Sequence, residues 1–405
     1  EVHVPTFSYA LPQLAQKRSP RLPTRRCEER VLLKDVGQLA RQPAQDRHLQ
    51  GRGKARRVVV HNLYLRVRIC AGILGSCSIV SVEVETPASP PGLLSRLSRL
   101  RISCDRQVLG VPETLIAKFH PSDPELRKSV CEANVTEVKF YAEVVPHSNL
   151  STPKVYYSDL DSDSCEFVLL LEDLSEQRIV DDLKGCGPED AEAVVRNLAA
   201  FHAGWWSDSR LESMDWLKPF DRSLSFEVLG IPVSQFEGSL PDGIGEVARR
   251  IKGQYATLFE AQSKRPRTVV LNDVKARHMF FAIKNGVEIV SMVDFQLAVQ
   301  GRGALDVSRF FGSSLTTCVR RAHEHDLLCV YHDVLTSMGV TGYSFDALCT
   351  DYRFGHLQNL VDYMAVEAQG LQARGGARLQ EIQEEQLRRY TAAIEDLDCA
   401  ELLPG

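Results

Sequence analysis

Residues Leu271–Gln296 constrain the fold more than any other part of this sequence. Two short apolar runs, Met279–Ile283 and Val287–Val293, flank the tripeptide Lys284-Asn285-Gly286. Asn-Gly tolerates the positive φ angles of a tight turn, and β-branched residues favour strands. The segment therefore predicts a β-hairpin that returns the chain to the loop from which it started.

The predicted hairpin brings polar side chains together from separate positions in the sequence. Asp294 directly follows the second strand, His278 directly precedes the first, and Asp273 lies one loop earlier. We therefore expect Asp273, His278 and Asp294 to converge, with Arg277 beside them. Taken alone, the pattern is explained better by an ordinary hairpin with solvated acidic residues at its ends.

The composition is that of an ordinary globular protein. The 405 residues are 44% hydrophobic and 25% charged, with a formal net charge of −5. This slightly acidic balance gives no reason to expect a specific nucleic acid as a partner. The 11 cysteines contain no Cys-x-x-Cys pair, a pattern that favours reduced thiols in an intracellular protein over a disulfide framework.

The apolar runs are too short to predict a membrane span. The longest, Ile69–Val80, falls well short of the roughly 20 residues that cross a bilayer as a helix. With the reduced thiols, this predicts a cytoplasmic protein. The chain begins at Glu1 rather than at Met, so a targeting signal remains open.

The sequence predicts three regions. Residues 1–62 are basic and rich in Arg, Gln and Pro, which predicts a disordered extension; a transit peptide or a mistranslated upstream exon is also compatible. Residues 63–171 predict a small lobe, and residues 172–405 predict a larger helical lobe that contains the hairpin. This is an α+β fold, in which a ligand between the two lobes would be typical.

The small lobe is predicted to contain strands and one helix, on which Glu137, Tyr141 and Val144 share a face. The predicted strands are Ile79–Glu85, Leu97–Cys104, Thr114–Phe119, Val155–Asp159 and Phe167–Leu171, and the helix is Pro124–Val145. The predicted helices of the larger lobe are Pro188–Trp206, Gly245–Gln262, Asp306–Arg321, Glu324–Met338, Ser344–Gln369 and Ala377–Leu397.

Several short motifs, taken in order, resemble the ecdysteroid-kinase-like (CHK-kinase-like) branch of the aminoglycoside phosphotransferase and choline kinase group. The resemblance runs from about Leu63 to the C-terminus and implies a bilobal protein-kinase-like fold. The motifs that carry it are Thr114–Phe119, Glu137–Tyr141, Phe167–Leu174, Leu198–Ala203, Leu271–Gln296 and Leu305-Asp306.

The resemblance implies an ATP-dependent phosphotransferase that transfers the γ-phosphate to a hydroxyl of a small-molecule alcohol. Lys118 would contact the α- and β-phosphates, and Glu137 would pair with Lys118. Backbone groups around Glu172, Asp173 and Leu174 would bind the adenine edge. The sequence does not predict the oligomeric state.

The resemblance also assigns roles around the hairpin. Asp273 would act as the base or orienting residue beside the acceptor hydroxyl. Asp294 would bind Mg²⁺, or alternatively Mn²⁺, with His278 at the position of the second metal ligand. Asp306 would cap the next helix and brace the catalytic loop, and His202 would pack in the helical lobe.

Several departures from the family pattern favour a pseudokinase as the alternative, binding nucleotide or a partner without efficient transfer. Leu271 replaces a His that braces the loop, Arg277 adds positive charge, and His278 replaces an Asn. The expected glycine-rich phosphate loop, Thr86–Gly92, carries three prolines and one glycine, and proline lacks the N–H that binds phosphate. An eroded or mispredicted gene product is a third possibility.

Overall fold

The computed structural model describes residues 79–85, 95–107, 110–220, 233–236, 238, 240–264, 266–368 and 376–403. The predicted extension at residues 1–62, most of Ile69–Val80 and the Thr86–Gly92 loop lie outside the described residues. Within the described part, an antiparallel sheet precedes a mainly helical region, which confirms the predicted α+β class.

The described sheet has five antiparallel strands in the order β1–β2–β3–β5–β4. The strands are β1 (Ile79–Glu85), β2 (Arg96–Cys104), β3 (Thr114–Phe119), β4 (Val155–Asp161) and β5 (Glu166–Glu172). Apolar residues of β2, β3 and β5, among them Leu100, Leu115 and Leu170, form a small core on one face. The sheet aligns Lys118 of β3 with Leu169 of β5, so that the two predicted nucleotide-binding segments lie side by side.

The prediction of one continuous helix over Pro124–Val145 is wrong. The structure has α1 (Pro124–Ser129), α2 (Cys131–Lys139), a π-helical turn at Phe140–Val144 and a short 3₁₀ turn at Val145–His147. The break between α1 and α2 occurs because Val130 leaves helical geometry, with φ −102° and ψ 11°. The predicted inner face is nevertheless correct, since Glu137, Tyr141 and Val144 are all buried.

The region after the sheet is mainly helical, as predicted. Its helices include α3 (Pro188–Gly204), α4 (Ile244–Ser263), α5 (Ala304–Ser314), α6 (Thr317–Ser337), α7 (Phe345–Ala368) and α8 (Gly376–Asp396). The predicted break between the helices Asp306–Arg321 and Glu324–Met338 is wrong. The chain breaks instead at Leu315-Thr316, where the Thr316 side chain accepts a hydrogen bond from the amide of Val319 and caps α6.

The predicted hairpin is confirmed. Strands β7 (Met279–Lys284) and β8 (Val287–Met292) pair antiparallel, and the turn residues Asn285 and Gly286 have φ 54° and 77°. A second short pair, β6 (Thr268–Val270) with β9 (Val299–Gly301), closes the segment at its base. The loops 271–278 and 293–298 therefore lie between the two pairs.

The prediction of reduced thiols throughout is wrong at one pair of cysteines. Cys131, at the start of α2, is disulfide-bonded to Cys165, in the turn between β4 and β5, with Cα atoms 5.2 Å apart. Because the two cysteines have a sequence separation of 34, no local pattern indicated the pairing. Among the described residues, no helix combines the length and the apolar character needed to span a bilayer.

Candidate active site

Three polar residues converge where the two hairpin-flanking loops meet, as the sequence predicted. His278 lies between the carboxylates: its Nδ1 is 3.0 Å from the backbone oxygen of Asp273, and its Nε2 is 3.7 Å from Oδ2 of Asp294. One potential ligand atom from each of Asp273, His278 and Asp294 lies within 4.8 Å of the other two. The side chains are between 15% and 33% exposed, so the group is sheltered but reachable.

Asp306 braces the loop that carries Asp273. Its two carboxylate oxygens accept hydrogen bonds from the amides of Leu271 and Asn272, each at 2.7 Å. The side chain is fully buried, and hydrogen bonds to a buried carboxylate are among the stronger ones. Leu271 therefore does not leave the loop unsupported. Asp306 is not the N-cap of α5, which is Gly303, but lies in its first turn.

His202 supports this brace rather than merely packing in the helical region. Its Nε2 is 3.1 Å from Oδ2 of Asp306, and its Nδ1 is 2.7 Å from the Tyr331 hydroxyl. Both His202 and Asp306 are 0% exposed. The sequence assigned His202 to packing alone, because a partner 104 residues away cannot be inferred from local pattern.

The backbone is strained on both sides of the site. Asn272 and Asp294 have φ 62° and 69°, in the left-handed region that non-glycine residues occupy infrequently. Asn and Asp are the residue types that tolerate it best. Such strain persists where the surrounding structure imposes it, and it is concentrated at functional sites.

Buried Lys118 and Glu137 form an ion-paired chain with the partly exposed Asp294. Lys118 Nζ lies 2.8 Å from Glu137 Oε1 and 3.0 Å from Asp294 Oδ1. Burial lowers the pKa of Lys118, but the charges of Asp294 and Glu137 outweigh it and raise that pKa above its usual value. Burial raises the pKa of Glu137, with Lys118 acting in the opposite direction. The predicted pairing of Lys118 with Glu137 is thus present, and the structure adds Asp294 to it.

The Asp294-Phe295-Gln296 segment is attached to the helix that carries Glu137. The Phe295 ring stacks on Phe140, with centroids 4.1 Å apart. Gln296 Nε2 donates to Oδ1 of Asn134 at 2.8 Å, and both side chains are buried. These two contacts hold Asp294 close to Lys118. The sequence analysis missed them, since nothing local relates Asn134 to Gln296.

Lys275 is a second residue that the sequence analysis missed. Its Nζ lies 2.5 Å from Oδ1 of Asp273. Burial raises the pKa of Asp273, but the charge of Lys275 outweighs it and holds that pKa well below its usual value. Asp273 is therefore ionised. The position of Lys275, two residues after Asp273 in the same loop, was the available signal.

Arg277 lies beside the site, as predicted, but its charge is compensated. Its Nη1 is 3.1 Å from Oδ2 of Asp182, whose side chain is 4% exposed. A guanidinium paired with a buried carboxylate contributes less field to its surroundings than a free one. The positive charge of Arg277 therefore opposes cation binding less than the sequence alone suggested.

The residues predicted to bind adenine lie at the end of β5. The amide of Glu172 donates to the carbonyl of Lys154 at 2.8 Å, so this predicted adenine donor is already used within the protein. The Asp173 carboxylate pairs with Arg99 Nε at 2.6 Å, and Leu174 is buried. Because Leu169 is opposite Lys118, these residues lie roughly 10 Å along the strand from it.

The residues present fit a divalent cation. A ring nitrogen can only donate to a backbone carbonyl, so Nδ1 of His278 carries the proton and Nε2 presents its lone pair toward Asp294. An ion at bond lengths of about 2.1 Å bridges two ligand atoms up to about 4.2 Å apart. The 3.7 Å between His278 Nε2 and Asp294 Oδ2 is within that span.

Comparison with known families agrees with the geometry. The model of the ecdysteroid kinase-like family matches residues 92–205 and 232–339, more than half of the chain. The chain belongs to the ecdysteroid kinase-like family. The matched ranges contain Lys118, Glu137, Asp273, His278 and Asp294. Among curated proteins, none matches the chain.

Solved structures show the same fold. A Ralstonia eutropha protein with a provisional aminoglycoside phosphotransferase assignment is similar at TM-score 0.52 and 13% identity, over 84% of this chain and 98% of its own. Weaker likenesses are a Plasmodium vivax ethanolamine kinase (TM-score 0.48, 11% identity, 77% and 81% covered) and a Streptococcus pneumoniae choline kinase (0.47, 13%, 82% and 97%). At 13% identity the likeness to the Ralstonia eutropha protein establishes the fold alone, which is bilobal and protein-kinase-like.

Proposed function

We propose that this protein is an ATP-dependent phosphotransferase that transfers the γ-phosphate to a hydroxyl of a small-molecule alcohol. The observation that carries the proposal is the ion-paired chain Glu137–Lys118–Asp294, close to the ionised Asp273. Phosphoryl transfer depends mainly on positioning and on the stabilisation of negative charge. The proposal rests on family membership for the type of reaction and on these contacts for the residues.

In this mechanism Lys118 binds the α- and β-phosphates of the nucleotide. Glu137 keeps the ammonium of Lys118 in place at 2.8 Å. Asp294 and His278 hold the divalent cation, which when bound neutralises charge on the phosphates. Backbone groups near Asp173 and Leu174 contact the adenine, without the Glu172 amide. Residues 63–171 then supply Lys118 and Glu137, and residues 172–405 supply the adenine contacts, the cation ligands, the catalytic loop and the acceptor site.

Asp273 orients the acceptor hydroxyl and receives its proton. Burial raises the pKa of Asp273, but Lys275, 2.5 Å away, outweighs it and lowers that pKa, so the carboxylate is a weak base. A weak base is best suited to aligning the hydroxyl and taking its proton late in the transfer. Lys275 occupies Oδ1 of Asp273, so the acceptor approaches the other oxygen.

A pseudokinase is the second candidate, and the Lys275–Asp273 ion pair is the observation that favours it. An ammonium 2.5 Å from the catalytic carboxylate competes with an acceptor hydroxyl for that carboxylate. The other departures are weaker evidence for a pseudokinase. Asp306 accepts a hydrogen bond from the Leu271 amide and so supports the loop without the missing His, and Asp182 pairs with the charge of Arg277. A pseudokinase would bind nucleotide with the same residues and transfer phosphate inefficiently.

The first experiment asks whether nucleotide binds. ATP with Mg²⁺ or Mn²⁺ should raise the unfolding midpoint in a concentration-dependent manner, because a ligand specific for the native state stabilises it. Lys118→Ala should abolish the shift. Lys128→Ala, at an exposed helix position, is the matched control. Absence of any shift in wild type at millimolar nucleotide would refute both candidates.

The second experiment separates them. ATP turnover is measured over a panel of small-molecule alcohols for wild type, Asp273→Asn and the control Asp326→Asn, whose side chain is 85% exposed. Acceptor-dependent turnover that Asp273→Asn lowers by about 10³-fold or more supports the phosphotransferase. Equal inertness of wild type and Asp273→Asn, with nucleotide binding retained, supports the pseudokinase.

A further inference from the structure

We propose that the cation site of His278 and Asp294 prefers a divalent first-row transition-metal ion, with Mn²⁺ as the test case, over Mg²⁺. The inference deepens the proposed function and rests on it, since the same ion would bridge to the nucleotide phosphates. Family membership does not determine which divalent ion binds, whereas the ligand atoms of this chain do.

The orientation of His278 is the first observation. Its side chain is 15% exposed, and its Nδ1–H donates to the backbone oxygen of Asp273 at 3.0 Å. This is the arrangement that metal-ligating histidines adopt, with one ring nitrogen bound to a carbonyl and the other directed at the ion. Asp273 therefore fixes the tautomer, and Nε2 remains as the ligand atom.

The second observation is the group that His278 Nε2 faces. Oδ2 of Asp294 lies 3.7 Å from that nitrogen, beyond the usual range of a hydrogen bond. With Nδ1 protonated, Nε2 and Oδ2 are both acceptors, and a cation placed between them would gain one ligand atom from each. The other oxygen of Asp294 is paired with Lys118 at 3.0 Å, so Oδ2 is the one directed at the site.

Ligand chemistry then decides which cation. Mg²⁺ prefers oxygen ligands in near-octahedral geometry and loses water reluctantly. Imidazole nitrogen suits transition-metal ions, whose affinity for nitrogen sites rises along the first row. The Asn that the family pattern leads one to expect at this position would offer an amide oxygen, whereas His278 offers nitrogen. One nitrogen and one carboxylate oxygen therefore shift the preference away from Mg²⁺.

The test is direct spectroscopy of bound Mn²⁺ in the full-length protein with a non-hydrolysable ATP analogue. Electron spin echo modulation should show one histidine nitrogen on Mn²⁺. Uniform ¹⁵N labelling of the protein should replace the ¹⁴N modulation with ¹⁵N, which excludes adenine nitrogen as the source. Neither measurement requires turnover or knowledge of the acceptor.

The matched variant is His278→Asn, which restores an oxygen ligand. Competition between Mn²⁺ and Mg²⁺ should show the ratio of their affinities falling by about tenfold or more in the variant, with the nitrogen signal lost. Thermal unfolding of the variant checks that it is folded, and the wild-type nitrogen signal stands independently of it.

The outcomes separate this inference from the proposed function. Nucleotide-dependent Mn²⁺ binding without nitrogen coupling, or an unchanged ratio in a folded His278→Asn, overturns the metal preference and leaves phosphoryl transfer intact. No nucleotide-dependent cation binding at all overturns both. Nitrogen coupling in a protein without turnover sustains the metal preference in a pseudokinase.

Discussion

Asp306 and His202 are in contact through a fully buried pair of atoms, with His202 Nε2 3.1 Å from Asp306 Oδ2. Through the same carboxylate, Asp306 holds the amides of Leu271 and Asn272. The loop that carries Asp273 is thus supported by a side chain of α5, which is in turn held by a side chain of α3. The loop keeps its shape although its first residue is a leucine.

Replacing Asp306 should therefore destabilise the fold and misplace the catalytic loop. Asp306→Ala leaves one buried amide, one half-buried amide and His202 without their acceptor, and we expect a loss of about 3 kcal/mol or more in the free energy of unfolding. Denaturant unfolding measures it. Asp326→Ala, at an exposed position, should change that free energy by less than about 0.5 kcal/mol. Similar values for the two variants would contradict the brace.

Removing the charge of Glu137 should weaken nucleotide binding more than it weakens the fold. Glu137→Gln retains the shape of the side chain but leaves Lys118 with Asp294 alone, so that Lys118 draws closer to Asp294 and away from the phosphates. We expect nucleotide affinity to fall about tenfold or more, equivalent to about 1.4 kcal/mol, as measured by the shift of the unfolding midpoint. Glu132→Gln, 76% exposed on the same helix, is the control and should retain wild-type affinity.

His356 makes the fold sensitive to acid. It is fully buried in α7, and neither ring nitrogen has a partner among the described protein atoms. Burial, followed by the charges of Arg320 and Arg309, lowers its pKa from 6.5 to about 3. As the pH falls, His356 takes up a proton in the unfolded state before it does so in the folded state. The folded state therefore has its full stability above pH 6.5 and loses stability as the pH falls toward 3. The loss is up to about 1.4 kcal/mol per pH unit.

The measurement is the free energy of unfolding between pH 6.5 and about 4. His356→Leu should flatten the pH dependence by close to one proton, whatever its effect on stability at neutral pH. His325→Leu, whose side chain is 75% exposed in wild type, should leave the slope unchanged. A wild-type slope in His356→Leu would show that other groups cause the acid sensitivity.

The disulfide between Cys131 and Cys165 should stabilise the oxidised protein. It closes a loop with a sequence separation of 34, for which chain entropy predicts about 4 kcal/mol. The double variant Cys131→Ser/Cys165→Ser should lose this amount under oxidising conditions and should match wild type in reducing agent. Cys318→Ser, at an exposed free cysteine, should behave as wild type in both. A wild-type mass that shows only free thiols would disprove the pairing.

Sequence reasoning succeeded where the signal was local. The turn at Asn285-Gly286 and the strands beside it determine the hairpin, and the hairpin alone brings Asp294 back to His278. Strand β3 was predicted with its correct bounds, because a short run of six mostly apolar residues leaves little choice of where the strand begins and ends. The break at Thr316 was missed, although a threonine three residues before the amide that it caps is a local signal.

The sequence by itself determined the hairpin, the buried face that carries Glu137, and most of the charged residues of the candidate site. Only the tertiary structure decided how those residues are held. Asp306 reaches Leu271 across 35 residues, and Gln296 reaches Asn134 across 162. Local periodicity reports which side of an element is buried, whereas contacts between distant elements depend on how their surfaces pack. For that reason most residues of the site could be named from the sequence, whereas most of their distant partners could not.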